Sequence, residues 1–171
     1  MLKLLTGAFC AVAGVAVAQD SCLTNRDLSR GIQMFYEEGD FSTLTRGRDG
    51  LLELVETYSD GTRPVRFQGA YALYLESEVE LDGGQPIAST LLEVDFGQPS
   101  TDLPAPTPGG SFNLATINRY ADGSEQGEEY SASFGPLTTL DISGCQYDAI
   151  AATLRYAWPS QNDGMTVEYI F

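Results

Sequence analysis

Apolar and polar side chains alternate at single-residue steps through much of this chain, most clearly between residues 70 and 81. There Tyr71, Leu73, Leu75, Val79 and Leu81 fall on one face, and Ala70, Ala72, Tyr74, Glu76, Glu78 and Glu80 on the other. A period of two sends successive side chains to opposite sides of an extended backbone. The segment therefore predicts a half-buried strand, its first face toward a core and its second toward water. The same pattern recurs at Ile150, Ala152, Leu154, Tyr156 and Trp158, with Thr153 and Arg155 opposite. No window sustains helical spacing over three turns; residues 25–30 suggest one brief helical turn, with Thr24 as its cap.

Asp-Gly pairs punctuate the alternation at Asp49-Gly50, Asp60-Gly61, Asp82-Gly83, Asp122-Gly123 and Asp163-Gly164. Such pairs suit the positive φ angles of tight hairpin turns. Strands are predicted at 31–38, 41–46, 51–59, 63–69, 70–81, 87–96, 111–121, 125–134, 137–143, 147–158 and 165–171. The expected fold is all-β, an antiparallel meander of about 10 to 11 strands forming a sandwich or a barrel-like sheet. Residues 97–110 carry Pro99, Pro104, Pro106 and Pro108 and cannot be a central strand. They are expected to form a long surface connection between two lobes of one domain, since each lobe alone would be small for a stable core. Glu56-Thr-Tyr-Ser-Asp-Gly61 and Asn118-Arg-Tyr-Ala-Asp-Gly123 echo each other across that connection.

Composition adds exclusions. The chain has 171 residues, 9 Lys+Arg, 24 Asp+Glu and no His. Without His there is no Ser-His-Asp triad, no Cys-His pair and no His metal ligand. Hydrophobic residues make up 43% of the chain, enough for a core, so it is not a disordered acidic tail. Residues 1–18 read as a secretory signal peptide: Lys3 supplies the basic start, Leu4 to Val17 the apolar stretch, and Ala16-Val17-Ala18 the cleavage site. The expected mature chain is a single domain at 19–171, with 171 − 18 = 153 residues and 8 arginines against 24 acids, a charge of −16. It has no lysine, which excludes a Schiff-base or P-loop lysine. The expected location is the periplasm or the extracellular space.

Removal of Cys10 leaves Cys22 and Cys145, an even pair in an oxidising compartment and therefore an expected disulfide. The charge repels phosphate, and the arginines are scattered, so nucleic acid is not an expected partner. Glu76, Glu78 and Glu80 offer carboxylates for glycoside hydrolysis, but they read as a solvated strand face with no apolar pocket to raise a pKa. The acids of residues 122–129 and 162–164 lack an EF-hand spacing and read as hairpin tips. No catalytic residue, metal ligand or cofactor is assigned. Phe67, Tyr71, Leu73, Leu75, Ile150, Leu154, Tyr156 and Trp158 are candidates for the lining of an apolar cavity, or for a packed core.

The last residues, Met165-Thr-Val-Glu-Tyr-Ile-Phe171, alternate toward a terminal aromatic. This segment resembles the final strand of bacterial outer-membrane β-barrels and implies a small membrane barrel as an alternative. Glu53 and Glu56 on opposite faces of one predicted strand oppose it, because a lipid-facing surface must be apolar. The expected function is non-enzymatic: an exported binding or envelope-accessory protein. An outer-membrane barrel and a carrier of an apolar or lipid ligand are the alternatives. The expected partner is an envelope protein or an apolar small molecule.

Overall fold

The computed structural model describes residues 22–170. The expected signal peptide of residues 1–18 and the terminal Phe171 lie outside them. Eleven strands form one antiparallel sheet: β1 Ile32–Phe35, β2 Phe41–Arg46, β3 Leu52–Thr57, β4 Val65–Ala70, β5 Tyr74–Asp82, β6 Gln85–Pro86, β7 Leu92–Asp95, β8 Ser111–Tyr120, β9 Glu125–Ile142, β10 Cys145–Trp158 and β11 Asp163–Ile170. Each strand pairs with its neighbours in chain order, except that the short β6 pairs β5 only and β7 takes the next place in the sheet. The fold is an all-β meander. β1 and β11 are its two edges, so the sheet is not closed.

The sheet curls on itself. Phe112 and Leu114 of β8, Tyr130, Ala132 and Phe134 of β9, and Leu154 of β10 point inward. Their strand neighbours Asn113, Glu129, Ser133, Thr153 and Arg155 are exposed. The inward residues meet Ala70, Leu73 and Tyr74 from the β4–β5 hairpin in one core. Tyr74 is fully buried and packs against Phe112, Phe96 and Tyr130 at centroid distances of 5.3, 5.8 and 6.2 Å. Edge-on and tilted ring contacts of this kind add to what area burial contributes. The Tyr130 hydroxyl donates to the Leu73 carbonyl at 2.8 Å and ties β9 across the curl to that hairpin.

Residues 97–110 join the two halves of the meander, but they do not simply run over the surface. A 3-10 turn at Ser100–Asp102 leads to Leu103, which is buried in the shared core. Tyr74 donates to the Pro104 carbonyl at 2.6 Å, and the Ser100 amide donates to Glu76 at 3.2 Å. Leu103 enters the core here, while Pro99, Pro104 and Pro108 stay exposed.

Several boundaries differ from the expected ones for identifiable reasons. Residues 70–73 are a two-residue hairpin turn, closed by Leu73 N–H to the Ala70 carbonyl at 3.0 Å, with Tyr71 and Ala72 at φ 57° and 52°. The expected strand 70–81 therefore begins at Tyr74; Leu73, Val79 and Leu81 of the expected core face are buried, but Tyr74 is core as well and Tyr71 is 41% exposed. The expected strand 87–96 shortens to β7 because Ala88–Thr90 forms a 3-10 turn. The strands at 125–134 and 137–143 are one, β9, which runs through Gly135-Pro136. Pro136 lies past Ser133, the last residue of β9 that β8 pairs, and at the register shift opposite Ala151, so its missing N–H interrupts no regular ladder. Asp163-Gly164 opens β11, the preceding turn being closed by Asn162 at φ 52°. The short helical segment is a 3-10 turn at Asp27–Ser29, where Asp27 accepts from both the amide and the hydroxyl of Thr24.

The Cys22–Cys145 disulfide is present, with a Cα–Cα distance of 5.6 Å. It fastens the start of the described chain to β10, just after the tight turn at Ser143-Gly144.

Candidate functional site

The curl forms a partly open cavity of about 480 Å3. That volume falls in the range of small-molecule sites, which are mostly apolar with a few placed polar groups. Strands from β2 to β11 contribute to its wall. Leu44 on β2, Leu54 on β3, Phe67 on β4, Glu78 on β5, Leu92 on β7 and Tyr120 on β8 are consecutive partners in the sheet register, and all of them line it. One transverse row of inward positions thus crosses six strands.

Of the residues singled out from sequence, Phe67, Leu73, Leu75, Leu154, Tyr156 and Trp158 line the cavity. Tyr71 does not, because the positive-φ turn sends it outward, where its hydroxyl donates to the Thr101 carbonyl at 3.4 Å. Ile150 does not either. It packs on the core cluster beyond the register shift between Ile150 and Ala152.

Polar residues at inward positions complete the wall. On one side Glu56 accepts from the Tyr58 hydroxyl at 2.8 Å, and Glu78 lies beside them. Burial, reinforced by the negative charge of Glu56, raises the Glu78 carboxyl above the ordinary glutamate value. The Tyr58 phenol is pushed up to about 12 by burial, by its hydrogen bond to Glu56 and by the surrounding acids. The reading of Glu78 as part of a solvated face without an apolar pocket is therefore corrected. The register shift opposite Gln68 and Gly69 leaves an extra residue in β5 between Leu75 and Ser77, so Leu75 and Glu78 both line the cavity although a single unbroken alternation would put them on opposite faces.

On the other side, Glu128 is buried and accepts from Trp158 Nε1 at 2.7 Å, Asn118 Nδ2 at 3.1 Å and Thr116 Oγ1 at 3.4 Å. Asn118 is 5% exposed, and its Oδ1 accepts no hydrogen bond from any described residue. The ion pairs among the described residues join Arg63 to Glu80, Arg66 to Glu53, and Arg119 to Asp95 and Glu125. None of these involves a cavity acid. Sequence reasoning passed over Asn118 and Glu128 because it sought an apolar lining. The available signal was a polar residue at an inward position of a regular alternation, Leu114-x-Thr116-x-Asn118-x-Tyr120 on β8 and Glu128-x-Tyr130 on β9.

Among the described residues, no group of three or more acids or cysteines is arranged to hold a metal ion, and no helix is long and apolar enough to cross a membrane. No family model, curated protein or solved structure matches the chain.

Proposed function

We propose that this is an exported, non-enzymatic binding protein that holds a small apolar molecule inside its curled sheet. The observation that carries this reading is the 480 Å3 cavity lined by aliphatic and aromatic side chains from both halves of the meander. A packed sandwich core would leave few voids larger than a water molecule. The exposed faces of β8 and β9 mix Asn113, Glu125, Glu129 and Ser133 with Ile117, Leu137 and Ile142, which is not the continuous apolar band of a membrane barrel. That supports a domain facing water. The paired cysteines and the leader-like residues 1–18 support a place in the periplasm or outside the cell.

Trp158 is the only tryptophan in the chain and lies in the cavity wall, so binding there is visible in its emission. Purified protein titrated with decanol is expected to show a saturable, one-to-one change in Trp158 emission, matched by calorimetry. Titration of decanol and of larger neutral apolar probes with no saturable signal overturns the reading.

A further inference from the structure

We infer that the cavity selects apolar molecules bearing an amine or ammonium group, on the basis of a buried acceptor pair, Asn118 Oδ1 and the Glu128 carboxylate, set among aromatic rings. The inference rests on the cavity being a binding site and specifies what it binds.

The acceptor side comes first. Asn118 is more than nine-tenths buried, lines the cavity, and leaves its Oδ1 without a donor. A buried acceptor left unsatisfied is destabilising, so the arrangement favours an occupant that brings an N–H or O–H. Rotating the amide does not satisfy it. The Asn118 nitrogen already donates to Glu128, and exchanging the two would set an oxygen against a carboxylate. Glu128 takes its hydrogen bonds from neutral donors and is joined to no arginine.

Charge and rings narrow the class further. Glu56, Glu78 and Glu128 all line the cavity, and among the described residues no basic one does. A carboxylate or phosphate headgroup would enter a wall of like charge, whereas a cation is attracted to it. Tyr130 and Tyr156 stack with centroids 5.0 Å apart beside Trp158 and Tyr120 in the same wall. Aromatic faces attract ammonium groups, more strongly when water is excluded. An alkyl or aryl body against Leu54, Phe67 and Leu92 and an amine against Asn118 and Glu128 would use both kinds of wall.

The test is a matched series of decylamine, decanol and decanoate, measured by calorimetry with Trp158 emission reporting the place of binding. Ionic strength is held near 0.15 M, where a Debye length of about 8 Å screens attraction to the acidic exterior. Decylamine is expected to bind at least about tenfold tighter than decanol, roughly 1.4 kcal/mol, and decanoate at least about tenfold weaker. Glu128→Gln, checked for folding by circular dichroism, is expected to bring the amine-to-alcohol affinity ratio toward one. Decanol binding as tightly as decylamine overturns the inference and leaves the apolar-binding reading standing. An unchanged ratio in folded Glu128→Gln, or amine binding without a change in Trp158 emission, also overturns it. If none of the three binds, the inference fails, and if larger neutral apolar probes also give no saturable signal the apolar-binding reading fails with it.

Discussion

Glu78 illustrates how one side chain changes meaning between sequence and structure. In the sequence it alternates with Glu76 and Glu80 as one of three solvated acids. In the fold these three have different surroundings: Glu80 pairs with Arg63, Glu76 accepts from the Ser100 amide, and Glu78 faces the cavity. A carboxyl whose folded pKa lies above its unfolded value holds its proton more tightly in the native state. Its contribution to stability therefore falls as pH rises through the interval between the two values. Glu78→Gln is expected to raise the melting temperature at neutral pH, on the order of 2 °C for a chain of this size. The gain should shrink as pH falls and wild-type Glu78 takes up its proton. Asp95 works in the opposite sense. Its pKa is lowered by the Gly97 amide and by Arg119, so its contribution is lost as pH falls. Calorimetric scans of mutant and wild type, compared at each pH, separate the two. A melting temperature that is unchanged or lower at neutral pH shows that the Glu78 charge is not costly. The apolar lining was largely legible because Phe67, Leu154, Tyr156 and Trp158 sit in regular alternation. Asn118 and Glu128 were not, because composition alone does not tell an inward polar residue from a solvated one.

At the scale of elements, the β4–β5 hairpin governs the site. It turns on Tyr71 and Ala72, residues with Cβ atoms in a conformation that favours glycine or asparagine. Alternation continues unbroken across it, so the sequence carries no punctuation there. Nearby Gly69 is the element's real constraint. It sits at the register shift between β4 and β5, and an added Cβ would strike the Tyr74 carbonyl oxygen and crowd the backbone of Leu75. Backbone cannot give way as a flexible side chain can. Gly69→Ala is expected to destabilise the fold by about 2 kcal/mol or more, read from the denaturant midpoint. A loss below about 0.5 kcal/mol would show that the bulge relaxes easily. The echo between residues 56–61 and 118–123 also resolves at this scale. Asp60 and Asp122 each accept from the amide two residues on, so the likeness is between two hairpin turns. Glu56 and Asn118, the first residue of each, both reach the cavity.

For the whole molecule, the all-β meander was legible because turn residues and alternation agree over most of its length. The curl was not, since it depends on contacts between residues as far apart as Leu73 and Tyr130. The disulfide acts at the same range, across a sequence separation of 123. In the chain-entropy model a loop of that length stabilises by about 5 kcal/mol, an upper figure if the unfolded chain is compact. Cys145→Ser is therefore expected to lower the melting temperature of the oxidised protein by several degrees, and reduction of the wild type should reproduce most of the drop. Equal melting of the reduced and oxidised forms would show that the tether contributes nothing. The open edges at β1 and β11 have a different consequence. In a closed barrel, strand number and stagger fix the radius. A sheet whose first and last strands do not meet has no circumference set by strand number and stagger; apart from the Cys22–Cys145 tether, its curvature is free of that constraint. On the proposed binding function, occupants of unequal girth are expected to be received by a change in sheet curvature, without the loss of a rung of the ladder.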